Sequence, residues 1–138
     1  HEDKLEGFAV AFAAYVLEHT TAEERKPRIH IDAEVPFDDL SLDFLNSYEL
    51  LQPFGPGNPQ PVFMSRGVWL TESPRRLKNR HLRLSLRQGL HERDAMFFGA
   101  GERELPDPPW DIAFTIDRNL FRGRTSLQIS VREIRAAE

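Results

Sequence analysis

At 138 residues, with 40% apolar and 29% charged side chains, the chain is long enough to bury one core and too apolar to stay disordered. It has no cysteine, which excludes a disulfide framework and a thiolate metal site and suits a reducing compartment. The net charge of −4 conceals a split: residues 1–54 hold twelve acidic and four basic side chains, a balance of −8, which leaves +4 on the remainder and hints at an anionic partner there.

Leu5, Phe8, Phe12, Tyr15, Val16 and His19 recur at helical spacing behind an acidic start. The alanines between them leave this helix apolar on most sides, as in buried helices. Its apolar run "FAVAFAAYVL", residues 8–17, falls short of the ~20 residues of a membrane span and follows no basic n-region. The helix is therefore expected to face either a neighbouring domain or, through Phe8, Phe12 and Tyr15, a second copy of the chain. "TTAEERKP" at 20–27 is polar and ends in proline, which reads as a linker.

"RIHIDAEV" alternates Ile29, Ile31, Ala33 and Val35 against His30, Asp32 and Glu34, the pattern of a half-buried strand. After "PFDDL", Ser41 is placed to cap a short helix carrying Leu42, Leu45, Tyr48 and Leu51, with Asp43 at its positive end. Pro53 ends that helix at Gln52, because helical geometry is disfavoured before proline. In "LLQPFGPGNPQPVF", residues 50–63, Pro53, Phe54, Gly55, Gly57, Asn58 and Pro59 form a stiff joint. Gly55 and Gly57 are expected to take backbone angles other residues resist, and Phe54 to anchor the joint in the core.

Beyond the joint the period becomes two. Strands are expected at about 62–72, 81–88, 94–99, 111–118 and 125–134. Leu82, Leu84 and Leu86 alternate with Arg83, Ser85 and Arg87; Ile112, Phe114 and Ile116, then Leu127, Ile129 and Val131, repeat the pattern. Trp69 and Trp110 are expected to pack in the core. Five successive antiparallel strands interrupted after the third match the order of an OB-fold, although other five-strand barrels fit the pattern too. The fold class is thus mainly β with α: a five-stranded OB-like antiparallel barrel, an N-terminal helix, and a second short helix before the barrel.

An OB barrel binds ligands on its second and third strands and in the loops joining strands one to two and four to five. Here the first loop and the strand after it supply Arg75, Arg76, Lys78, Arg80 and Arg83; the second loop supplies Arg118, Phe121, Arg122 and Arg124. Cations track phosphates, and an exposed aromatic gives a platform for an unpaired base. Gln128 is expected to face outward, where it either hydrogen-bonds a base or sugar or is simply a surface residue. Taken singly, each loop reads more simply as a solvated basic hairpin, with Phe121 a core residue; it is the coincidence of both loops that points to a nucleic acid.

No catalytic constellation is marked. The five histidines lack metalloprotease spacing, and "GPGNPQ" fails the dinucleotide and phosphate-loop patterns. His30 and Asp32 share a strand face, and Asp38, Asp39 and Asp43 cluster in sequence, but a solvated face and turn positions account for them more simply. No metal-binding residue is assigned.

Three blocks together resemble a known family. "LLQPFGPGNPQPVF" resembles the Pro-Phe-Gly-x-Gly-Asn-Pro signature of the RecJ family of single-strand-specific 5′→3′ exonucleases. "HLRLSL" is similar to the strand that follows it there, and "FRGRTSLQISVREI" to the closing hairpin. The N-terminal "EDKLEGFAVAFAAYV" resembles the helix that ends the family's DHHA1-type domain; Gln52 stands where an acidic residue is common. The resemblance implies residues 1–28 as that helix and a linker, and 29–138 as an OB-like domain binding single-stranded DNA. It further implies a bacterial, cytoplasmic parent enzyme of DNA repair and recombination, a hydrolase using Mn or Mg held by upstream domains, so that this fragment holds no cofactor and is not itself an enzyme. A domain that braces the nuclease core or docks a protein, without touching DNA, is the alternative.

Overall fold

A computed structural model describes residues 2–19, 21 and 28–138, with side chains described from Gly7 onward. The side chain of Leu5, and the 20–27 segment apart from Thr21, lie outside the described residues. Helix α1 runs Glu2–His19. Phe8, Val10, Phe12 and Tyr15 are each more than half exposed on it, and Phe8 stacks on Phe12.

The strand expected over 29–35 is confined to β1, Ala33–Glu34, which pairs in parallel with the start of β2, Phe63–Leu70. Ile29 is exposed, so the alternation there does not build a buried face. His30 and Asp32 do share a side, 3.5 Å apart, but the His30 side chain is open to solvent. A 3-10 turn at Phe37–Asp39 buries Phe37, and Arg93, more than fifty residues further along the chain, donates to the Phe37 and Leu40 carbonyls. Helix α2, Leu42–Glu49, starts as expected: the Ser41 hydroxyl accepts from the Phe44 N–H, and Asp43 lies in the first turn. It buries Leu45 and Tyr48.

The expected glycine backbone angles are not what holds the Pro/Gly joint. Neither Gly55 nor Gly57 has a positive φ, and an added Cβ would meet nothing within 4 Å at either. Asn58 locks the joint instead. Its side-chain amide donates to the Leu51 carbonyl at 2.7 Å and the Pro53 carbonyl at 3.0 Å, while its backbone exchanges hydrogen bonds with Gly55. Phe54 is half-buried with its ring 5.4 Å from that of Tyr48, as an anchor should be.

The other strands are β3 Arg75–Leu77, β4 His81–Gln88, β5 His91–Phe97, β6 Trp110–Phe121 and β7 Arg124–Ala136. They form one mixed seven-stranded sheet in the order β1-β2-β6-β7-β5-β4-β3. The five strands expected beyond the joint are all present beside the shortened β1, and β3 is added. The sheet is not wholly antiparallel, because β5 lies parallel to β7, with Ala95 opposite Ile129. Alternation along a strand dictates which residues face the core, but neither its neighbours nor its direction. A further pairing of Trp69 with Arg87 and Leu70 with Leu86 joins β2 to β4. Backbone pairing therefore runs in a circuit through β2, β6, β7, β5 and β4 back to β2.

Leu82, Leu84, Leu86, Ile112, Phe114, Ile116, Ile129 and Val131 fill the interior as their alternation predicts, joined by Leu45, Phe63 and Phe97. Burying each large apolar side chain contributes ~1.5–3 kcal/mol. Trp110 is buried and its indole N–H donates to the Pro106 carbonyl at 2.7 Å. Trp69 is not in the core: it is 47% exposed, because Leu70, opposite the buried Leu86, takes the inward position and turns its neighbour out.

Candidate nucleic-acid interface

Two tight hairpins define the site. β3 and β4 are joined through Lys78, Asn79 and Arg80, the first two with φ of 51° and 55° and the third donating its N–H to the Leu77 carbonyl at 3.0 Å; β6 and β7 are joined through Arg122 and Gly123 alone, with φ of 50° and 74°. Positive φ at two successive residues is what a tight turn matching strand twist demands, and Asn and Gly tolerate it best. Each turn is thus forced to project cationic side chains: Lys78 and Arg80 at one, Arg122 and Arg124 at the other.

The first hairpin is clamped from behind. Gly101 donates its N–H to the Arg80 carbonyl at 3.0 Å, and Gly99 donates to Nδ1 of His81 at 2.9 Å. A Cβ on Gly101 would lie 2.8–2.9 Å from Arg80 backbone atoms, so only glycine fits there.

Between the hairpins, across β5, lies a cavity of about 350 Å³, at the low end for a small-molecule site. Leu77, Met96, Phe121 and Leu127 give it apolar walls. Arg83, Asp94, Asn119, Ser126 and Gln128 give it polar groups. Phe121 is 65% exposed, so it is no core residue, and the Arg122 guanidinium lies over its ring at 5.2 Å. The cavity thus gathers Arg83, Phe121 and Gln128 from the expected set and sets the two turn tips beside them.

The remaining expected residues are placed differently. Arg118 is committed to α2: Nε donates to Glu49 at 2.8 Å, and Nη2 to Glu49 and to Asn46 at 3.1 and 2.5 Å. The Glu49 hydrogen bond raises its pKa further above the usual arginine value. Arg75 pairs with Glu72 at 3.3 Å and Arg83 with Asp94 at 3.0 Å. Arg76 faces a separate shallow recess with Leu82, Arg103 and Leu105. Elsewhere Arg66 pairs with Glu34, whose hydrogen bond raises the Arg66 pKa, and Arg103 pairs with Glu133. Asp111, buried, is met by Arg66, Arg135 and the Gly67 N–H. Among the described residues, Arg76, Lys78, Arg80, Arg122 and Arg124 make no ion pair, so the two hairpins carry five of the unpaired cations of the second half; Arg87, Arg93 and Arg132 are unpaired elsewhere.

Asn119, Asp94, Met96 and Ser126 had no signal in the sequence, since cross-strand pairing alone brings them to the cavity. Trp69 had one: its alternation with Leu70. Among the described residues no three His, Asp or Glu side chains gather as metal ligands would.

The family model described as the RecJ OB domain matches residues 31–133, most of the chain. Crystal structures of RecJ from Thermus thermophilus, one in complex with Mn2+ and one with Mg2+, are similar to it. Each has a TM-score of 0.70 and 23% identity over the whole of this chain, which spans only 20% and 21% of their lengths. No curated protein matches it.

Proposed function

The chain belongs to the RecJ OB domain family, and from that premise we propose that it holds single-stranded DNA for a RecJ-like, single-strand-specific 5′→3′ exonuclease of DNA repair and recombination. One observation carries this: Lys78, Arg80, Arg122 and Arg124, none of them in an ion pair among the described residues, lie at two hairpin turns that flank a cavity with an exposed Phe121 at its wall. Lys78, Arg80, Arg122 and Arg124 attract the phosphates from both sides. Arginine adds a two-point fork onto phosphate oxygens. Phe121 offers its ring to an unpaired base, a contact worth ~1–3 kcal/mol and indifferent to sequence. Gln128, Asn119 and Asp94 offer donors and acceptors to the base edge. Arg118 serves as a brace between α2 and β6 rather than as a phosphate ligand.

The circuit of five strands is, on this view, an OB barrel, and its outer face between the hairpins is the ligand face. Residues 1–28 are the last helix and linker of a preceding domain; the family match beginning at residue 31 supports that division. The parent hydrolyses phosphodiester bonds in the cytoplasm with Mn or Mg held by other domains, and this domain supplies grip on the strand, not catalysis.

A second function is favoured by a specific observation, the exposed apolar side chains of α1. The domain braces the nuclease core through that helix, or pairs with a second copy when the core is absent. Bracing without DNA contact would show as binding to the catalytic core with no salt-dependent binding of DNA.

The test is titration of a labelled single-stranded oligonucleotide at a series of salt concentrations. Each phosphate contact contributes ~0.7 to the slope of log affinity against log salt. Replacing Lys78, Arg80, Arg122 and Arg124 with Gln together should weaken binding and flatten the slope by up to about 2.8. Affinity and slope both unchanged would mean that DNA, if bound, lies on another face.

A further inference from the structure

We infer that Trp69 is a second stacking platform for an unpaired base, at the far end of a track that a single strand follows along β4 from the Phe121 cavity. This rests on the single-strand function proposed above. Trp69 lies directly across from Arg87, and Leu70 across from Leu86. Leu86 is fully buried, so the Trp69–Arg87 pair faces outward. Arg83, four residues before Arg87 on β4, faces outward by the same alternation and lines the Phe121 cavity. The two arginines are therefore about 13 Å apart along the strand. At ~3.4 Å per stacked nucleotide that distance is about four nucleotides. Four is the low end of the 4–16 nucleotides that one OB domain covers.

Charge explains why the track needs an aromatic at this end. Its middle is balanced, with Arg75 held by Glu72 and Arg83 by Asp94. Phosphate attraction acts at the hairpin tips and at Arg87, which makes no ion pair among the described residues although Glu92 lies across from it. A base stacked on Trp69 beside Arg87 pairs a π-surface with a cation, as Phe121 beside Arg122 does at the other end. No other ring or guanidinium stacks on Trp69 among the described residues, so its face is open to a base.

The chain carries its own reporter. It has two tryptophans, and Trp110 is 1% exposed with its N–H tied to Pro106. Quenching of fluorescence by added oligonucleotide therefore reports Trp69. An oligothymidine of roughly twelve nucleotides, within the span of one OB domain, is titrated at low salt with end-label anisotropy and tryptophan fluorescence read together. Binding is expected to quench the fluorescence, and Trp69→Ala to weaken the twelve-mer roughly 5- to 150-fold. Trp69→Phe should keep most of the affinity. In Phe121→Ala the quench at saturation should persist, because the two platforms are separate. Binding without quenching, or a Trp69→Ala variant with unchanged affinity, overturns the second platform and leaves the single-strand function standing. No binding by the unsubstituted chain overturns that function and this inference with it.

Discussion

Phe121→Ala separates stacking from charge. The side chain is 65% exposed, so its loss leaves no cavity, and fold stability should change by no more than about 1 kcal/mol, the size of the exposed contact with Arg122. Stacking on a base is worth ~1–3 kcal/mol. Arg122 already lies 5.2 Å over the ring, and a base must share or displace it at a cost of ~0.5–1 kcal/mol. At central values, about 2 less about 0.75 kcal/mol, the net loss on substitution is about 1.25 kcal/mol, roughly an 8-fold rise in Kd for single-stranded DNA. No charge is removed, so the slope of log affinity against log salt should not move. Anisotropy titrations at several salt concentrations measure both quantities, with Phe121→Trp as a variant that keeps the ring. An unchanged Kd would refute stacking at this wall. A flattened slope would show instead that Phe121 acts by positioning the cations of the turn.

Other substitutions probe the frame around the site. Asn58→Ala removes two hydrogen bonds from the joint and should lower stability by about 1–3 kcal/mol, read as a fall in the urea midpoint; an unmoved midpoint would mean water replaces Asn58 fully. Arg118→Ala should cost at most about 1 kcal/mol, because the pair with Glu49 is partly exposed, and should leave oligonucleotide affinity unchanged; a marked loss of affinity would return Arg118 to the interface. Tyr48 is buried, which raises its pKa above the ordinary tyrosine value of 10.0. The folded chain then holds that proton more tightly than the unfolded chain. Its contribution to stability is complete below pH ~10 and declines as pH rises from there through the folded pKa. Chemical denaturation of the chain and of Tyr48→Phe across that range should show a steeper loss for the native residue, and parallel curves would count against burial as the cause.

Much of the frame was legible because burial leaves a period in the residues. Leu82, Leu84 and Leu86 announce β4, and Ile112, Phe114 and Ile116 announce β6, since alternate side chains of a strand face opposite ways. Ser41 announces the start of α2 by its chemistry alone. The basic loops were legible as well, but β3 and the geometry of the turns were not: Lys78 and Arg122 take a positive φ that their side chains disfavour, and only the neighbouring Asn79 and Gly123 invite it. Periodicity gave no direction to β5 and β7, so their parallel pairing went unseen. It also misled at residues 29–35, where an alternating pattern meets too little of β2 to form a long strand. The glycines of the joint suggested unusual backbone angles, yet the Asn58 amide does the holding through partners five and seven residues back.

The sequence by itself determined the inner faces, the places where the chain turns, and which residues carry positive charge. Those are properties of neighbouring residues, set by the two-residue period of a strand and the steric demands of a turn. The tertiary structure decided which cations remain free. Glu49 reaches Arg118 from 69 positions away, and Asp94 meets Arg83 only because β5 folds back on β4. It also decided that Phe121 and Leu77, far apart in the chain, wall one cavity, and that Trp69 stands out in solvent. Charges are neutralised and surfaces assembled by neighbours in space, and the order of residues along the chain does not encode those neighbours locally.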